Sequence, residues 1–138
     1  MGRILAIDYG NKRVGLAVTD PLRIIATALD TVASHELMPY LKSYCAREQV
    51  DAFVLGDPRT LQNEPSQIAR QVNEFAVHLQ RSFPAKQVHR IDERFTSAMA
   101  SAAIAQSGMS KQKRQEKGRI DQISAVLILQ TYLAQTQA

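Results

Sequence analysis

Acidic residues close the apolar runs of this chain. Asp8 ends the run Ile4-Leu5-Ala6-Ile7, and Asp92 and Glu93 end the strand-like run Val88-His89-Arg90-Ile91. Asp121 lies near the start of a third apolar stretch that continues to Leu133. Short apolar runs bounded by turn residues read as buried strands. A carboxylate at the end of such a strand is costly unless positive charge meets it. Several carboxylates brought together need a metal ion or a shared proton. The pattern points to strand ends gathered into a metal-dependent site for phosphate chemistry.

The chain has 138 residues, the size of one domain with one core, so residues 1–138 are expected to form a single domain. An apolar content of 45% excludes a disordered chain. Cys45 is the one cysteine, so no internal disulfide forms and no Cys/His set has zinc spacing. Cys45 falls on the apolar side of an expected helix and reads as a small core residue. Asp8 interrupts the first apolar run too early for a signal peptide, and no apolar stretch reaches ~18 residues. Ala6 stands where a myristoylation motif needs Ser or Thr. The expectation is a cytoplasmic protein with no membrane partner. A formal net charge of +4 is compatible with a polyanionic partner and is weak evidence on its own.

Residues 3–9 read as a strand, Gly10-Asn11-Lys12 as a turn, and 13–19 as a second strand in which Val14, Leu16 and Val18 alternate with smaller residues. Asp20-Pro21 ends it. A third strand is expected from Ile24 to Ala28, with Val32 as its farthest limit. The short connections make these three an antiparallel meander. Ser34 suits an N-cap for a helix to about Gln49, with Leu37, Met38, Leu41, Tyr44 and Cys45 as its stripe. Ala52 to Leu55 reads as a strand stopped by Gly56-Asp57-Pro58. A helix from near Pro65 to Ser82 follows, then a strand from Gln87 to Asp92. Thr96 suits the cap of a short alanine-rich helix ending near Gly108, and Arg119 to Leu133 forms a last helix, apolar on most sides. Strand–helix–strand units cross over right-handedly into parallel pairs. The order predicts an α/β fold of RNase H-like pattern: a mixed five-stranded sheet flanked by helices.

Ligands of open α/β sheets bind at the carboxyl ends of parallel strands. If the first, fourth and fifth strands are parallel neighbours, Asp8, Asp57 and Asp92-Glu93 emerge at one edge. Asp121 can join them from the last helix, and the small Ser124 and Ala125 one turn on leave room beside it. Hard oxygen donors suit Mg2+ or Mn2+. Paired ions of this kind activate a water and stabilise the leaving oxygen of a phosphodiester. Each acid also has a plainer reading as an ordinary exposed strand end. Asp57 fits that reading best, because Gly-Asp-Pro is common turn chemistry. His35, His78 and His89 lie in separate elements with no ligand spacing and read as surface or packing residues.

At these residues the chain resembles the YqgF (RuvX) family, RNase H-like proteins related to Holliday-junction resolvases, and the likeness runs nearly end to end. It is carried by Asp8-Tyr9-Gly10-Asn11-Lys12-Arg13-Val14-Gly15-Leu16-Ala17, by Asp92-Glu93-Arg94-Phe95-Thr96-Ser97, and by Lys117-Gly118-Arg119-Ile120-Asp121-Gln122-Ile123-Ser124-Ala125. The three motifs in order are far more specific than any one. The resemblance implies a nuclease of pre-16S rRNA maturation in which Asp8, Glu93 and Asp121 are metal-binding catalytic acids. It implies Asp92 and Arg94 as supporting residues. Gly56-Asp57-Pro58 departs from the Gly-Leu-Pro usual in the family, so Asp57 either joins the metal site or faces water. The loop Arg59 to Glu64 lacks the glycine of many members, which puts substrate contacts through it in question.

Lys111, Lys113, Arg114, Lys117 and Arg119 lead into Asp121 and, with Lys12, are the candidate phosphate contacts. The plainer reading is a solvated loop, as charge runs usually are. Tyr9 and Phe95 are open to base stacking or to core burial. Asp8, Gly10 and Gly15 also resemble the phosphate hairpin of actin-like kinases, but those enzymes pair two such domains and this chain has room for one. A tight hairpin with positive φ at Gly10 explains that glycine equally well. The expected partner is nucleic acid, pre-rRNA first and branched DNA second. The protein is expected to be a monomer or a homodimer, and resolution of a branched DNA needs two copies. A binding module of ribosome assembly without turnover is the remaining alternative.

Overall fold

In a computed structural model of the chain, residues 2–10, 12–57, 67–92 and 117–136 are described. Five strands form one sheet: β1 (Arg3–Tyr9), β2 (Arg13–Thr19), β3 (Ala26–Ala33), β4 (Val50–Asp57) and β5 (Gln87–Asp92). Their spatial order is β3-β2-β1-β4-β5. β2 runs antiparallel to β1 and β3, while β4 runs parallel to β1 and β5. Among the described residues three α-helices accompany them: α1 (Leu37–Arg47), α2 (Gln67–Ser82) and α3 (Lys117–Thr136). The expected mixed sheet is present. The short helix expected between Thr96 and Gly108 lies outside the described residues.

Side-chain alternation along β1 sorts the molecule into two cores. Leu5 and Ile7 join Leu16, Phe53 and Leu55 with Leu37, Leu41 and Leu79 of α1 and α2. Ile4 and Ala6 join Ala17, Val54 and Ile91 against Ala125, Ile128, Leu129 and Leu133 of α3. Burial of Ile128, Leu129 and Leu133 holds α3 to the sheet with roughly 1.5–3 kcal/mol per side chain. The helix crosses the sheet obliquely. Its start is tied to β3 by a hydrogen bond from Gln122 Nε2 to Thr31 Oγ1 (3.0 Å), and Tyr132 near its end packs on His89 of β5 (ring centroids 5.0 Å).

Three local expectations need correction. β3 begins at Ala26 and runs to Ala33, not from Ile24. The Asp20 carboxylate accepts the N–H groups of Leu22, Ile24 and Ile25, so these residues form a loop and not a ladder. Arg23 in that loop has φ 59°, and its guanidinium donates to Gly2 O and Asp51 Oδ2. Ser34 opens a 3-10 turn (Ser34–Glu36) and caps no helix. An α-helix begun at Ser34 needs an N–H at Pro39 to reach the His35 carbonyl; with Leu37 first, Pro39 sits in the first turn and nothing is lost. Gly10, finally, does not have positive φ. A Cβ there would collide with the carbonyl oxygen of Arg13, so close approach within the hairpin is what requires glycine.

Candidate active site

The carboxyl ends of β1, β4 and β5 lie at one edge of the sheet, as the parallel pairing requires. β2 leaves from that edge and β3 returns to it. Asp8 shares the parity of Ile4 and Ala6, so its half-buried carboxylate is on the face that α3 covers. It pairs in register with Gly15 of β2, and Gly15 pairs with Thr31 of β3. The row Asp8, Gly15, Thr31 therefore runs straight across three strands on one face.

The start of α3 meets this row. Gln122 donates to Thr31, and Asp121 is its neighbour. Asp121 stands four residues before the fully buried Ala125 and seven before Ile128, on the helical stripe that meets the sheet. Lys117 and Arg119 occupy the same first turns. Strand spacing of ~4.8 Å sets Asp8 and Thr31 roughly 10 Å apart across the glycine. Backbone placement thus brings Asp8 and Asp121 to one end of one face. Their type, hard carboxylate oxygen, fits Mg2+ or Mn2+.

Asp57 parts from this group. It shares the parity of Phe53 and Leu55, on the opposite face, and accepts a hydrogen bond from Arg90 Nη2 at 3.0 Å. Asp92 occupies the register position beside Asp57. The three strand-end positions Asp8, Asp57 and Asp92 share an edge but not a face, a distinction set by odd or even position along each strand. Among the described residues no three Asp, Glu, His or Cys side chains converge as a metal-ligand set. Glu93, Arg94, Lys111, Lys113 and Arg114 lie outside the described residues, as does Phe95. For Asp92, Lys117, Arg119 and Asp121 the backbone alone is described.

Lys12 and Arg13 are exposed at the hairpin that follows Asp8. The hairpin is braced from below: Ser34 N–H donates to Lys12 O (3.0 Å) and Ser34 Oγ donates to Gly10 O (2.8 Å). Tyr9 stacks on Phe75 of α2, with centroids 4.9 Å apart and planes at 25°, so it belongs to packing on the other face. His35 and His78 are exposed, and His89 packs on Tyr132. Burial pushes the Cys45 thiol pKa up, in keeping with a packing role. Sequence reading missed Thr31, Gln122 and the Arg90–Asp57 pair. Each depends on a contact between distant segments, and only Gly15, a glycine inside a strand, gave a local sign of close approach.

Comparison with known proteins bears on the family and the fold. The RuvX family model, described as a Holliday junction resolvase, matches residues 2–135. A protein of Porphyromonas gingivalis is 52% identical over 133 residues, covering 96% of each chain. One from Flavobacterium johnsoniae is 49% identical over 134 residues, covering 97% of each. Both carry the name "Putative pre-16S rRNA nuclease". Among solved structures, RuvC of T. thermophilus, determined with a Holliday junction substrate, is 15% identical and aligns over 99% of this chain and 96% of its own with TM-score 0.57. At that identity the likeness concerns the fold, which is the RNase H-like α/β architecture. From the family match and the near full-length identity to these relatives, the chain belongs to the RuvX family.

Proposed function

We propose that this protein is a divalent-metal-dependent endonuclease that hydrolyses phosphodiester bonds in 5′-end maturation of pre-16S rRNA. The observation that carries the reading is Asp8 at the carboxyl end of β1, on the face where α3 begins, with Asp121 beside the residue bonded to the Asp8 row. The names of the relatives supply the substrate. In this reading Asp8, Asp121 and Glu93 hold Mg2+ or Mn2+, and Asp92 and Arg94 support them. The ion supplies Lewis acidity toward the scissile phosphate and a water of lowered pKa. Lys12 at the exposed hairpin, with Lys111, Lys113, Arg114, Lys117 and Arg119, binds the phosphate backbone and holds it over the acids. No side-chain nucleophile is needed, so the scattered histidines and the packed Cys45 take no part.

Cleavage of a model 16S precursor with Mn2+ tests the reading. Asp8→Asn should lose more than ~100-fold of the activity, because residues that merely support a metal ligand already cost ~10–100-fold. Equal cleavage by the variant and the parent protein would rule the mechanism out. A branched-DNA substrate is the second reading, favoured by the description of the family model. It requires two copies to cut two strands, so a protein that stays monomeric with a four-way junction under sedimentation counts against it. A binding module without turnover would bind RNA in a salt-dependent way and take up no Mn2+ in calorimetry.

A further inference from the structure

The hydrogen bond between Gln122 and Thr31 joins residues 91 positions apart, and both side chains are half-buried. We infer that Gln122 and Thr31 are a positioning pair that sets where Asp121 stands relative to Asp8, and thereby the affinity of the site for a divalent cation. The inference rests on the metal-dependent reading above and deepens it.

Three observations lead to it. First, among the described side chains of α3 the buried apolar contacts begin at Ala125 and continue through Ile128, Leu129 and Leu133. Apolar contact is non-directional, so it resists separation far more than rotation or sliding. Asp121 precedes Ala125 by about a full turn, at the end of α3 where that core ends among the described side chains. Second, the bond falls at the next residue. A hydrogen bond is directional, and one made about 100° round the helix from Asp121 fixes rotation as well as lateral place. Third, the acceptor is in the same register row as Asp8, with only Gly15 between them. Glycine presents no side chain to the gap. Thr31 thus ties the start of α3 to the same row as Asp8, two strands away across Gly15. Removing either partner leaves a half-buried polar group without this bond and releases the helix start.

Calorimetric titration with Mn2+ alone, without nucleic acid, tests the pair. Thr31→Val and Gln122→Met should each weaken Mn2+ binding about tenfold or more, the cost seen when a group supporting a metal ligand is lost. The double variant should bind no worse than the weaker single one, because the two substitutions break the same bond. Thr31→Ser keeps the hydroxyl and should bind as the parent protein does. Metal-free Tm should change by no more than a few degrees in any of them, which separates positioning from general loss of structure. Unchanged Mn2+ affinity in Thr31→Val and Gln122→Met overturns the inference, and so do losses that add in the double variant. Should Thr31→Val fail to fold, Gln122→Met decides alone, since it keeps chain length and helix propensity. Asp8→Asn separates this from failure of the functional reading. If the parent protein takes up no Mn2+, or Asp8→Asn binds it equally well, that reading falls and takes the positioning pair with it.

Discussion

Asp57 illustrates how much one position along a strand decides. It lies at the end of β4 beside Asp92, within the same edge as Asp8, yet its side chain belongs to the other face and meets Arg90 at 3.0 Å. Both partners keep partial exposure, so the ion pair contributes no more than about 1 kcal/mol. Asp57→Asn should therefore leave Mn2+ affinity within about twofold of the parent protein and lower stability by less than ~1 kcal/mol, measured by calorimetry and urea unfolding. A tenfold loss of Mn2+ binding would return Asp57 to the ligand set. The sequence presents Gly-Asp-Pro as turn chemistry or an added ligand, and nothing local separates the two. The parity of Phe53 and Leu55 does, once β4 is known to pack them toward α1 and α2.

At the scale of elements, α3 carries the greatest consequence. Its apolar composition is plain in the sequence, but composition on most sides of a helix does not say which side meets the sheet. Ala125 answers this: it is fully buried where α3 meets the sheet, in the same core as Ala6 of β1 and Ala17 of β2. Small residues there let helix and sheet approach closely. Ala125→Leu should destabilise the protein by about 1–3 kcal/mol through overpacking, read from chemical denaturation. If the proposed metal-dependent reading holds, it should weaken Mn2+ binding as well, because lifting the helix moves the Asp121 backbone away from β1. Full stability and full metal affinity in this variant would contradict the described packing. The start of α1 makes the same point on a smaller scale. Ser34 has the character of an N-cap, but its hydroxyl goes to Gly10 and its N–H to Lys12, across to the hairpin. A side chain with two possible partners takes the one that tertiary structure brings near.

Over the whole molecule the two ends of the sheet are held by different chemistry. The carboxyl edge carries the acids. The opposite end is locked by Asp20, which accepts three loop N–H groups, and by Asp51, which accepts from Gly2 N, Gln49 and Arg23. The N–H of Ile25 is the largest cause that holds the Asp20 carboxyl below its ordinary pKa of 3.8, and the N–H of Gly2 is the largest for Asp51. Folding therefore favours the ionised form of both. Their stabilisation is complete above the ordinary value of 3.8 and is lost as pH falls through the lower folded value. Thermal unfolding should show Tm steady near neutrality and falling below about pH 4, with a shallower acid limb in Asp51→Asn. An unchanged acid limb in that variant would exclude Asp51 as a source of it. Among the described residues, no helix is long and apolar enough to cross a membrane.

Among the described residues, the type and order of the strands and α-helices and the acids at strand ends were determined by the sequence, because apolar periodicity and turn residues act over a few neighbours. The motifs around Asp8, Asp92 and Asp121 likewise named the family before any contact was known. What only the tertiary structure decided is which of those positions share a face and an end of the sheet. Register pairing put Asp8, Gly15 and Thr31 in one row, and a bond across 91 positions brought the start of α3 to it. Such contacts arise from strands pairing and helices docking at long range, and a sequence read locally holds no trace of which distant partner a side chain will find.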